Sequence, residues 1–92
     1  MKNKIINKIK VAEFGGVRNQ FEITTPDGRY FQFYNTIIAF KPADGGPTVL
    51  DSGSWDYSRT TGKYRNLFLG EGKAATEQKI KNGFYKLANL NA

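Results

Sequence analysis

The chain has 92 residues, with 14 Lys and Arg against 8 Asp and Glu, no His and no Cys, for a formal net charge of +6. That composition leaves no disulfide, thiolate nucleophile, imidazole base or ordinary His/Cys metal site, and a domain this short buries too little surface to frame a deep enzymatic cleft. No stretch reaches the roughly 18 to 20 apolar residues of a membrane span, and the start MKNKIINKIK lacks the apolar core of a secretion signal, so a cytoplasmic protein without metal or cofactor is expected.

Residues 1–7 are expected to form a flexible basic N-terminus. From about Lys8 to Phe14 the pattern fits a strand, although Ile5, Ile6 and Ile9 could equally mark one face of a helical turn. Gly15-Gly16 breaks it, and Phe21, Ile23 and Thr25 then alternate with Gln20, Glu22 and Thr24 as a half-buried strand does. Thr25-Pro26-Asp27-Gly28 is the clearest local signal. The proline presets φ for a type I turn, and Gly28 can take the left-handed position of a bulged hairpin that returns through Tyr30 to Tyr34. Thr36 to Phe40 and Pro47 to Leu50 form a second hairpin across Asp44-Gly45-Gly46, with Pro42 and Pro47 at strand ends or on an edge.

The period then changes. Tyr64, Leu67 and Phe68 recur at helical spacing, with Ser58 or Asp56 as N-cap and Gly70 as the stop. Gly62 disfavours the first turn, so the segment is expected to begin irregularly and become helical after it. A second helix is expected from Lys73 to Asn82, ended by Gly83, and Phe84 to Leu90 suits a final strand or an extended tail. The expected fold is a single α+β domain over 1–92, an antiparallel meander of about four strands covered on one face by two short C-terminal helices.

Charge is segregated along this order. Lys2, Lys4, Lys8 and Lys10 open the chain without an acid, and residues 11–58 hold six acids against Arg18, Arg29 and Lys41. From residue 59 onward Arg59, Lys63, Arg65, Lys73, Lys79, Lys81 and Lys86 face only Glu71 and Glu77. A basic face of this kind steers anionic partners, while a solvated helix surface would carry the same letters.

Gly70-Glu71-Gly72-Lys73-Ala74 invites comparison with a phosphate loop, but a Walker A motif needs glycine at position 67 and Ser or Thr at position 74, where Leu67 and Ala74 stand. The acids have no spacing that marks a general acid and its partner, and Ser54, Ser58, Thr60 and Thr61 read as caps and turn residues, so no enzyme is expected. The aromatic residues say more. Alternation puts Phe31 and Phe33 on one face and Tyr30, Gln32 and Tyr34 on the other, where tyrosines either pack under a helix or stack on bases. Trp55 and Tyr57 pose the same choice. Arg59, Lys63 and Asn66 share one stripe of the first helix, and Arg59, Lys63 and Arg65 together make a basic shoulder able to contact phosphates or simply to solvate the helix.

The run Trp55-Asp56-Tyr57-Ser58-Arg59-Thr60-Thr61-Gly62-Lys63-Tyr64-Arg65-Asn66, continuing into Phe68-Leu69-Gly70-Glu71, resembles a block of small bacteriophage and mobile-element proteins. Pro26-Asp27-Gly28-Arg29-Tyr30 and Tyr34-Asn35-Thr36-Ile37-Ile38-Ala39 resemble them too, so the likeness spans roughly residues 20–83. It implies a phage or prophage origin and action in the bacterial cytoplasm, and carries over no activity or catalytic residue. The function expected is that of an accessory protein binding nucleic acid through Arg59, Lys63, Arg65 and the Lys2–Lys10 cluster, with Tyr30, Tyr34, Trp55 and Tyr57 as stacking platforms. The alternative is a module that binds and modulates a host or phage protein.

Overall fold

The computed structural model describes residues 9–16 and 18–92; Lys2, Lys4 and Lys8, and the flexible start expected over 1–7, lie outside them. Strands β1 (Lys10–Glu13), β2 (Gln20–Thr25), β3 (Gly28–Phe33), β4 (Thr36–Pro42) and β5 (Val49–Asp51) form an antiparallel meander. Helices α1 (Arg59–Leu69) and α2 (Lys73–Lys81) follow, and β6 (Lys86–Ala88) returns parallel to β5 at the end of a six-stranded sheet ordered β1 to β6. The α+β class and the meander followed by two helices are as expected, and the final strand forms.

The turns explain the register. Thr25 pairs with Gly28, so Pro26-Asp27 is a two-residue turn rather than a bulged one. Gly28 takes φ 149°, away from the left-handed helical value expected, because β4 runs too close: a Cβ there would stand 2.2 Å from the Lys41 carbonyl oxygen. At the next hairpin Phe33 pairs with Thr36, leaving Tyr34-Asn35 as the turn with Tyr34 at φ 53°. Ile38 is the extra residue of a bulge in β4, opposite the step between Phe31 and Gln32. The neighbouring Ile37 amide donates to Asn91 Oδ1 at 2.7 Å, and Asn91 Nδ2 donates to the Ile37 carbonyl at 2.9 Å.

Paired residues share a face of the sheet. On the helix-covered face Phe31, Ala39 and Leu50 form the core with Ile38 and Phe68 of α1, and Phe14, Phe33, Trp55, Tyr64 and Ile80 pack around them. Phe31 stacks on Phe68 at 5.8 Å between ring centroids. The register assigns Val11, Phe21, Ile23, Tyr30, Ile37, Phe40 and Val49 to the other face. Among the described residues no helix packs there; Tyr30 stacks on Phe40 at 4.4 Å and Val11 is 63% exposed.

Helix α1 is helical from its first residue, and the irregular start expected before Gly62 does not occur. Ser58 Oγ accepts from the Thr61 amide at 3.1 Å, which holds the first turn despite the glycine. Its inner face also differs from the expected one, since Thr61, Gly62, Arg65 and Phe68 are buried while Leu67 is 58% exposed. At the far end Gly70 takes the left-handed C-cap at φ 74°, and the Lys41 ammonium donates to the Phe68 carbonyl at 2.6 Å, where a cation meets the negative end of the helix.

Candidate functional site

Arg65 is the centre from which the site is built. Its guanidinium lies inside the protein at 1% exposure, donating through Nη1 to the Trp55 carbonyl at 2.9 Å and Asp56 Oδ1 at 3.1 Å, and through Nη2 to Asn66 Oδ1 at 2.8 Å. It also lies 5.2 Å from the Trp55 ring centroid. These bonds fix the Trp55-Asp56 segment against α1 and so fix the start of the helix. Asp56 is shared, its other oxygen accepting from the Lys73 ammonium at 2.8 Å. Hydrogen bonding from Lys73 outweighs partial burial and, with Arg65, holds the Asp56 carboxyl below its usual range, while the same bond raises Lys73.

Over this network lies a hollow of about 660 Å³ at the start of α1, lined by Asp56, Ser58, Arg59, Gly62, Lys63, Arg65, Asn66, Leu67 and Lys73. Four cationic residues face one carboxylate there. No acid lies in the first turn of α1, where carboxylates ordinarily offset the positive end of the helix dipole, and Arg59 occupies the first position instead. The electrostatics of this corner therefore favour an anion.

On the other side of Ser58 a second concavity, of about 480 Å³, is lined by Phe33, Tyr34, Thr36, Ile38, Gly53, Ser54 and Tyr57. Tyr57 is 71% and Tyr34 54% exposed, and the Tyr34 ring meets Phe33 edge-on at 4.7 Å. Asp51 anchors its floor: Ser54 Oγ donates to Oδ2 at 2.5 Å and the Leu90 amide to Oδ1 at 2.8 Å. Only Ser58 separates Tyr57 from Arg59, a span of about 7 Å of chain, so aromatic groove and basic hollow adjoin.

The expected site residues divide accordingly. Arg59 and Lys63 share the hollow, and Tyr34 and Tyr57 share the groove. Arg65 does not belong to an exposed basic shoulder, because its donors are engaged inside the fold. Trp55 is half-buried against the core with Arg65 over its ring, and borders a separate concavity with Ala74, Glu77 and Ile80 rather than the groove or the hollow. Tyr30 is half-buried against Phe40 on the uncovered sheet face, and Tyr34 leaves that face because the two-residue turn breaks the strand alternation. Lys10 is exposed on β1. In sequence Lys73 belongs to a broken phosphate-loop pattern, whereas its side chain reaches Asp56 and the hollow of α1. Beside the N-terminus of α2, Glu71 accepts from Thr76 Oγ1 at 2.8 Å and Lys79 Nζ at 2.6 Å.

Among the described residues no helix is long and apolar enough to cross a membrane, and no group of three or more His, Cys, Asp and Glu could hold a metal ion. The chain belongs to a family of unknown function, DUF8033, whose model matches residues 3–83. No curated protein and no solved structure matches it.

Proposed function

We propose that this chain binds single-stranded nucleic acid, as an accessory protein of the phage or mobile-element kind that its Trp55–Glu71 block resembles. The observation that carries the reading is the contiguity of two exposed tyrosines in a groove with a corner rich in Arg and Lys, joined through Tyr57-Ser58-Arg59. Single strands are held by base stacking on aromatic side chains, worth about 1 to 3 kcal/mol per base, together with cations that track the phosphates. Tyr34 adds a second support. A bulky residue at positive φ is strained, and such strain concentrates where a side chain must be presented.

Titration with single- and double-stranded DNA and RNA at two salt concentrations tests the reading. Single strands should bind more tightly than duplex. Affinity should fall with salt, and Tyr57→Ala should weaken binding several-fold without moving the thermal melt. Absence of binding even at low salt refutes it.

The uncovered sheet face favours the second reading, a protein-binding module. Phe21, Ile23, Tyr30 and Phe40 with exposed Val11 form an apolar stripe that no described helix covers. A partner seated there would be retained at high ionic strength and would be insensitive to Tyr57→Ala.

A further inference from the structure

We infer that the uncovered face of the sheet is the interface of a two-fold homodimer, in which the faces of two copies pack together with β1 of each lying over β6 of the other. This goes beyond the nucleic-acid reading, uses neither the groove nor the hollow, and commits the uncovered face to a second copy of this chain.

The strand register draws the surface. Val11, Ile23, Tyr30, Phe40, Val49 and Lys86 are successive partners, so one row of side chains crosses all six strands, with Phe21 and Ile37 in the row beside it. Tyr30 stacked on Phe40 lies at the middle, where the aromatic anchors of interfaces sit. Six strands at about 4.8 Å and three rows of side chains make a footprint of roughly 24 by 20 Å, the scale of a standard interface burying about 800 Å² per partner. An apolar surface of this width is rarely left to water in a monomer.

Charge identifies the occupant. The chain carries a net +6, so two copies repel unless they meet where the excess charge is absent. Within the strands the register puts only Glu13, Asp51 and Lys86 on this face among charged residues. Asp51 is 5% exposed and bonded by Ser54 and the Leu90 amide, whereas Glu13 and Lys86 are exposed, on opposite edges of the sheet. Neither has an ion-pair partner among the described residues.

A two-fold axis parallel to the strands carries β1 over the partner's β6. Lys86 then lies level with Val11 of the partner subunit, one alternate residue along the strand from its Glu13, and this pairing occurs twice. Stacked sheets stand about 10 Å apart, a gap that a lysine side chain and a carboxylate together bridge. An axis across the strands would stack each edge on itself, acid with acid and base with base. In the favoured arrangement both helical layers lie outside, so Arg59, Lys63 and the other helix cations stay in water with two sheets between them.

Sedimentation equilibrium of the full chain from about 1 to 200 µM tests this. The parent should be a dimer that dissociates in the micromolar range. Glu13→Lys and Lys86→Glu should each weaken dimerisation at least about tenfold, and the double reversal should restore it. Val11→Lys, at an exposed edge position, should give a monomer with an unchanged far-ultraviolet circular dichroism spectrum. A parent chain that stays monomeric throughout overturns the inference and leaves the face to residues 1–8 or to a different protein. A dimer indifferent to both charge reversals also overturns it, because the copies then meet in another arrangement. Either failure leaves the nucleic-acid reading standing, since that is read separately by oligonucleotide titration.

Discussion

Replacing Arg65 by alanine removes three hydrogen bonds and leaves a space the size of the largest fully buried side chain in the protein. The expected cost is about 2 to 4 kcal/mol, read as a lower denaturant midpoint, and Arg65→Lys should not restore it because an ammonium cannot reach the same acceptors as a planar fork. Arg59→Ala and Lys63→Ala should each change stability by less than about 1 kcal/mol, being exposed. Sequence alone grouped all three as surface cations. The signal that separates Arg65 is Thr61, Arg65 and Phe68 at i, i+4 and i+7, one helix face, which was masked by the expectation that arginine stays outside. Gly28 gives a second contrast. The glycine was legible from Pro26-Asp27-Gly28, but its reason, the Lys41 carbonyl, belongs to a strand 13 residues downstream and has no local trace. Even Gly28→Ala should therefore lower the melting temperature substantially, and Gly28→Val more so. Tyr34→Gly should do the reverse, raising stability by up to about 1 kcal/mol in a thermal melt by relieving the positive φ while weakening ligand binding.

At the level of elements, β5 is tied to the C-terminus through one carboxylate. Burial raises the pKa of Asp51, but hydrogen bonds from Ser54, the Leu90 amide, Asn91 and the Gly53 amide together bring it below its usual value. Glu71 behaves alike, with burial outweighed by Lys79, Thr76 and Tyr85. A depressed folded-state pKa stabilises the fold above the unfolded value of about 4 and loses that contribution as pH falls through the folded value. Stability measured by urea melts should accordingly hold from neutral pH down to about 5 and fall below about 4, and Asp51→Asn should flatten that acid limb. The elements themselves were largely legible, since caps and breakers are local: Ser58 and Gly70 bound α1, and Gly15-Gly16 ends β1. Their facing was not. Leu67 turned outward because Arg65 and Thr61 took the inner positions, a choice made by the Trp55 carbonyl and Asp56 and therefore by tertiary contact.

On the scale of the molecule, a meander of neighbouring strands pairs residues close in sequence, which is why the α+β layout could be read from alternation and turns. The concavities could not, because each is assembled from separate segments: the groove from the β3–β4 turn and the 53–57 loop, the hollow from α1, Asp56 and Lys73. The parallel strand β6 sets the order of assembly. It pairs Val49 with Lys86 and can do so only after both intervening helices have been traversed, so its closure carries the largest loop entropy in the sheet. During synthesis β1 to β5 can zip up hairpin by hairpin while the strand that completes them has yet to emerge. Until then the β5 edge stays open, available to any extended segment, and the Leu90 and Asn91 contacts to Asp51 and Ile37 are the latches that end that interval. In native-state hydrogen exchange the β6 amides should accordingly open before those of β2 to β4, and a nascent chain stalled before residue 84 should be a folded sheet with one edge still reactive.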